Sequence, residues 1–258
     1  MMASLILNTS AEFLKVRRTN AIWLTFAGAL FIPSVNFLKL LSRPDIFLSQ
    51  TKADPWAFML NDNWAPAASL FLPMYVILVI SLVVQIEYTN NTWKQVYASP
   101  RSYADIYFSK FFIMSSLVLL WIVLLTFFIV ASGYVIEMVN SDYEFASHQI
   151  PWKQFSTIAI KMFASTLGMA AIQYWLTLLF KSFVTPIGIG MALLTGGFMI
   201  RQWEHISYYP YIYSLLVYFT NPGLEEGTSD KALLNSVVGS IIVLGLGFYH
   251  LCIRKEKG

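Results

Sequence analysis

Three histidines, His148, His205 and His250, are the side chains best suited to move a proton or hold a metal near neutral pH. They are scattered along the chain. No pair has metal-ligand spacing, and there is no His-Glu-x-x-His. The paired carboxylates Glu225-Glu226 lack a downstream arginine at helical spacing and read as a solvated acidic loop. No glycine-rich phosphate-binding loop is present, so the chain is not expected to hydrolyse ATP unaided. The single cysteine, Cys252, sits beside a basic tail and cannot form an internal disulfide. These residues give no catalytic set, no metal site and no cofactor bound by this chain.

What would position any chemistry is a set of long apolar segments. Of the 258 residues, 57% are apolar and 12% charged. A soluble domain carries about 25% charged residues, so this surface must face lipid. A bilayer core needs roughly 20 apolar residues in a helix, and six segments meet that need: Asn20 to Leu38, Ala67 to Ile86, Phe111 to Ile136, Met162 to Phe180, Phe183 to Ile200 and Ala232 to Ile253. Helices are expected because each satisfies its own backbone in lipid. The first span is too long for a signal-peptide core and lacks a cleavage site, so it is expected to stay as an anchor. The fold class is therefore all-α integral membrane, with one domain over residues 20–258 and an interfacial helix over 1–19.

Charge sidedness orients the spans. With the N-terminus in the cytoplasm, Lys15, Arg17, Arg18, Lys94, Arg101, Lys110, Lys181, Arg254, Lys255 and Lys257 fall inside. Lys39, Arg43, Lys52, Lys153, Lys161, Arg201 and Lys231 fall in longer outer segments, so basic density is higher inside. An even number of spans returns the C-terminus to the cytoplasm. The net charge of +3 is small, and no nucleic-acid partner is expected.

Other segments are not simple spans. Met2, Ile6, Thr9, Phe13 and Val16 share one helical stripe, suited to lying in the inner interface beside Lys15, Arg17 and Arg18. In the inner loop Glu87–Lys110, Thr89 or Asn90 can cap a short helix with Trp93, Val96 and Tyr97 on one side, which Pro100 ends. Those aromatics suit either interfacial anchoring or docking of a cytosolic partner, with Lys94 and Arg101 beside them. Tyr208 to Phe219 is an aromatic run, and Leu215 to Phe219 is too short to cross; it can lie flat or dip in and return if protein covers its backbone. The deepest polar residues, Asn36, Ser165, Thr166, Gln173 and Thr177, are neutral, so no proton or sodium relay is expected and the energy for any transport would come from a partner. Gly188, Ala192 and Gly196 give the fifth span a smooth face for packing, within the chain or on a second copy. Ala164 and Gly168 do so on the fourth, and Pro33 and Pro73 should kink the first and second.

This layout resembles the ABC-2 type exporter permeases: an interfacial helix, six spans, a long inner loop after the second and a re-entrant-like segment before the last. Glu87, Asn91-Thr92-Trp93-Lys94, Ser99-Pro100-Arg101 and Lys110 are similar to the inner loop of the lantibiotic-immunity and bacitracin-resistance branch. The resemblance implies a permease in the bacterial cytoplasmic membrane, paired with a cytosolic ATP-binding cassette subunit that supplies ATP and Mg²⁺. It also implies a second permease copy or a related one, lipid contact, and export of membrane-active peptides or antibiotics. The loop would be the coupling surface. A membrane-embedded structural or assembly subunit without a transport path is the alternative.

Overall fold

The computed structural model describes residues 9, 13–17, 19–89, 102–219 and 227–255, without the side chains of 87–89 and 254–255. These residues form helices and connecting turns, and no strand occurs among them. In chain order the α-helices are α1 (Asn20–Ser42), α2 (Pro44–Thr51), α3 (Pro55–Pro66), α4 (Leu72–Thr89), α5 (Tyr103–Val139), α6 (Trp152–Leu179), α7 (Val184–Met199), α8 (Tyr213–Tyr218) and α9 (Thr228–Lys255). A π-helical turn, Ala67–Phe71, fuses α3 to α4. Short 3₁₀ turns follow α5 and α7.

Local chemistry sets the helix starts. Thr19 caps α1 by accepting from the Ala21 N–H at 3.3 Å, and its own hydroxyl donates to the Val16 carbonyl at 2.7 Å. Asp54 caps α3, with Pro55 at the first helical position. Ser102 accepts from the Asp105 N–H at 3.1 Å, and Asp105 places a carboxylate in the first turn. That cap starts α5 at Tyr103, earlier than the expected Phe111. At 37 residues, α5 is about 55 Å long, well beyond a bilayer core of about 30 Å.

Among the described residues, five helices are long and apolar enough to cross a membrane: Asn20–Ser42, Pro55–Ile86, Tyr103–Val139, Trp152–Leu179 and Thr228–Ile253. The sixth expected span is the shorter α7, of 16 residues. The α3–α4 unit is central, with 67% of its apolar window buried, whereas α9 is peripheral with 17%. The broadest pairings are α6 on α9 and α1 on α5. Lipid offers little hydrophobic drive for helices to associate, so small residues and hydrogen bonds must hold them. At the α6–α9 seam the Gly168 N–H donates to Ser236 Oγ at 3.0 Å, and that hydroxyl donates to the Ala164 carbonyl at 2.7 Å. A Cβ on Gly168 would lie 3.2 Å from Ser236 Cα. The Ala164/Gly168 face read from sequence is therefore the α9 contact.

Two prolines explain the break between α3 and α4. Pro66 has no N–H for the Asp62 carbonyl, and Asn36 Nδ2 on α1 donates to it instead at 3.1 Å. In the π turn the Leu72 N–H bonds the Ala67 carbonyl, five residues back. The same register would pair the Ala68 carbonyl with Pro73, which has no donor. Ser214 Oγ on α8 fills that vacancy at 2.7 Å. The backbone freed in the second span is thus met by neighbouring helices.

One end of the bundle is capped by aromatic rings. Trp56 lies edge-on to Tyr134 and Phe145, with centroids 5.4 and 5.0 Å away. Its Nε1–H reaches the Phe145 and His148 carbonyls, each at 3.1 Å. Glu144 turns the chain there in the left-handed region, at φ 52°. Lys39 Nζ sits 2.8 Å from both Asp62 carboxylate oxygens and 4.8 Å from the Phe47 ring centroid.

Candidate functional site

The inner-loop residues Trp93, Lys94, Val96, Tyr97, Pro100 and Arg101 lie outside the described residues, as do Met2 and Ile6 of the N-terminal stripe. Residues 13–17 are helical, with Val16 buried and Phe13, Lys15 and Arg17 exposed. Glu87 belongs to the last turns of α4 by its backbone. What the structure does supply is the foundation at that end of the bundle: the end of α4, the start of α5, and the ends of α6 and α9.

That foundation is aromatic. Tyr107 on α5 packs on Tyr174 of α6 and Phe248 of α9, at centroid distances of 4.9 and 5.7 Å. Phe111 meets Tyr174 at 6.0 Å, and Phe108 meets Phe248 at 5.7 Å. The Tyr174 hydroxyl donates to the Tyr107 carbonyl at 3.2 Å. A Cβ on Gly247 would stand 2.6 Å from the Tyr107 hydroxyl, so the absence of a side chain there permits the approach. Three helices, α5, α6 and α9, are thereby fixed to one another at that end of the bundle. The sequence reading missed Tyr107, Tyr174, Phe248 and Gly247. Their signal, small and aromatic residues near span ends, is also the ordinary one for interfacial anchors.

Lys110 requires a correction. Read as a loop residue closing the inner segment, it is instead two turns inside α5 and 1% exposed. The cap at Ser102 draws Tyr103–Lys110 into the helix and carries the ammonium into the bundle. It is the one charged side chain buried among the described residues. The aliphatic stem lines a small internal gap with Tyr103, Ile106, Tyr107 and Leu178.

The interior polar residues are buried as expected: Asn36, Ser165, Thr166, Gln173 and Thr177 all lie in the core. Gln173 is the hub. Its Nε2 donates to the Pro186 carbonyl of α7 at 2.9 Å and lies 3.4 Å from Ser81 Oγ of α4. Its Oε1 accepts from the Tyr211 hydroxyl at 3.1 Å. One amide thus ties four elements together without a charge. A second knot joins α1, α4 and α5: Thr25 Oγ1 lies 2.8 Å from the Tyr75 hydroxyl, which donates to the Leu117 carbonyl at 3.1 Å. The Tyr75 ring stacks on Trp121 at 5.4 Å.

The segment before α9 turns back into the bundle. Tyr211, Ile212, Tyr213, Ser214, Leu215 and Leu216 are buried, covered by α6, α7, α9 and the π turn. Tyr209 donates to the Leu193 carbonyl at 2.7 Å. Protein covers the backbone, which is the condition for a non-crossing segment at such depth.

On α7 the buried stripe is Pro186, Gly190, Leu194 and Gly197. A Cβ on Gly190 would lie 2.6 Å from Gln173 Oε1, and one on Gly197 2.5 Å from Ile212. Gly188 and Ala192 face outward, with open space around Gly188, and Gly196 comes near the Tyr209 hydroxyl. The close contacts inside the chain thus fall on Gly190 and Gly197.

No cluster of three or more potential metal ligands occurs among the described residues. His148 and His205 lie in turns, and His250 Nδ1 accepts from Trp175 Nε1 at 3.2 Å. Long apolar helices, uncharged polar knots and a covered re-entrant turn define a multi-pass membrane protein built as a helical bundle. Residues 9–197 match the family model described as ABC-2 family transporter protein, and the chain belongs to that family. No curated protein and no solved structure matches it. Membership makes the chain a permease component that works with an ATP-binding cassette subunit.

Proposed function

We propose that this chain is the membrane permease of an ATP-driven exporter for membrane-active peptides, antibiotics or lipid-like amphiphiles. The observation that carries the reading is the family match over residues 9–197. The similarity of the loop around Asn91-Thr92-Trp93-Lys94 to the lantibiotic-immunity and bacitracin-resistance branch supports the substrate class. In this reading the permease stands in the bacterial cytoplasmic membrane with both termini in the cytoplasm, beside a second permease copy. A cytosolic partner binds ATP and Mg²⁺.

Coupling runs through the loop. Trp93, Val96 and Tyr97 form one face of a short helix that packs into the ATP-binding subunit, flanked by Lys94 and Arg101. Glu87 anchors that lever to the bundle. Coupling needs a contact that differs between states, and Trp and Tyr supply rigid area for it. The aromatic cluster of Tyr107, Tyr174 and Phe248, which joins α5, α6 and α9 near the start of α5, supports this reading. Trp93→Ala is expected to abolish export, or to release the ATPase, while the chain still inserts in the membrane. A Trp93→Ala protein that inserts, binds the ATPase and protects cells as well as wild type would reduce the loop to an interfacial anchor.

A further inference from the structure

The helices α3, α6 and α8 leave between them an open groove of about 620 Å³. Most of its lining is apolar, including Ala65, Ile158, Met162 and Val217, and its polar members include Lys161 and Thr157. The Tyr218 hydroxyl donates to Asn61 Oδ1 at 3.0 Å and ties α8 to α3 beside it. Lys161 is exposed and meets no carboxylate among the described residues. From Met162 to the end of α6 at Leu179, the helix rises about 27 Å, close to the roughly 30 Å of a hydrocarbon core. Lys161 therefore stands at one boundary of the apolar layer, with the apolar part of the groove beside it.

We propose that this groove binds one anionic phospholipid, its phosphate on Lys161 and Thr157 and an acyl chain along Ala65, Met162 and Val217. The chemistry favours a lipid over a soluble anion, because the cation opens onto an apolar slot and not onto a polar cage. It also states what must be selected. An acyl chain gains little by leaving other lipid for an apolar slot. Discrimination therefore rests on the net charge of the head: either phosphate can accept a charge-assisted hydrogen bond from the ammonium, but choline brings a second cation beside Lys161, whereas a glycerol head leaves the negative charge uncompensated. A lysine that merely snorkels to the headgroup layer would show no such preference over Lys153 or Lys181, which are likewise exposed. The inference rests on the membrane reading and is independent of the transport reading.

The test is native mass spectrometry of the purified chain, without any ATPase, released from membranes of mixed phosphatidylglycerol and phosphatidylcholine with matched chains. One phosphatidylglycerol should be retained about tenfold over phosphatidylcholine, because the choline cation offsets the attraction of the phosphate to Lys161. Lys161→Ala should remove that preference and Lys161→Arg keep it, whereas Lys153→Ala and Lys181→Ala should leave it unchanged. Ala65→Trp should expel the lipid by filling the slot, with circular dichroism showing the helices intact. Unchanged retention by Lys161→Ala, or an equal loss with Lys153→Ala, would overturn the site. Displacement of the lipid by free glycerol phosphate would overturn the choice of a lipid as its occupant.

Discussion

Gln173 shows how a single uncharged side chain can organise a helical bundle. Its amide meets the Pro186 carbonyl, the Tyr211 hydroxyl and Ser81 Oγ. Gln173→Leu keeps the volume but leaves the buried Tyr211 hydroxyl without its acceptor, a cost of about 1–3 kcal/mol. The expected result is a lower thermal midpoint in detergent with helix content preserved. Gly190→Ala should act on the same knot, because its Cβ would press within 2.6 Å of Gln173 Oε1. Combined, the two changes should cost less than their sum; strict additivity would show that the two residues do not act through one contact. The residue itself was legible in the sequence as an amide inside an apolar run. Its partners were not, since Tyr211 and Ser81 lie 38 and 92 positions away and neither carries a pattern that marks its bond.

Helix ends were harder to read than helix existence. Each apolar core announced its helix, but hydropathy stops where polar residues begin, and helices do not. Ser102 caps α5 and draws Tyr103 to Lys110 into it, and the low-hydropathy Pro55–Pro66 continues into the second span through a π turn. Small residues can mark more than one face of a helix. Spacing by four selects Gly188, Ala192 and Gly196, while the covered face follows Gly190 and Gly197, seven apart and equally a single face. Space at each glycine separates structural from permissive positions. Gly133→Ala on α5 would put a Cβ 2.9 Å from the buried Trp56 ring and 3.2 Å from Phe145, and overpacking of this kind costs about 1–3 kcal/mol. Gly188→Ala meets open space and should leave the thermal midpoint of the monomeric chain unchanged. Equal midpoints for the two variants would contradict the packing described at Trp56.

At the scale of the whole molecule, composition alone pointed to an all-helical membrane bundle, and the long helices follow from it. The re-entrant turn was legible as an aromatic run followed by a stretch too short to cross; that Ser214 serves the backbone vacancy at Ala68 was not, because Pro73 marks a freed carbonyl but the π turn decides which one, and the partner lies 146 positions away. Topology is the first consequence to check. With both termini in the cytoplasm, cysteine probes near Asp54 and Asp142 should label from outside, and those near Ser99 and Glu256 should not. Outside labelling at Ser99 would invert the scheme. The central claim, an energy-dependent permease without its own engine, is tested most directly by affinity purification from native membranes, followed by ATPase assay in nanodiscs. The chain should bring with it a subunit carrying a Gly-x-x-x-x-Gly-Lys-Ser/Thr loop. The complex should hydrolyse ATP, and the chain alone should not. ATP turnover by the pure chain, or its isolation from native membranes with no such subunit, would contradict the account.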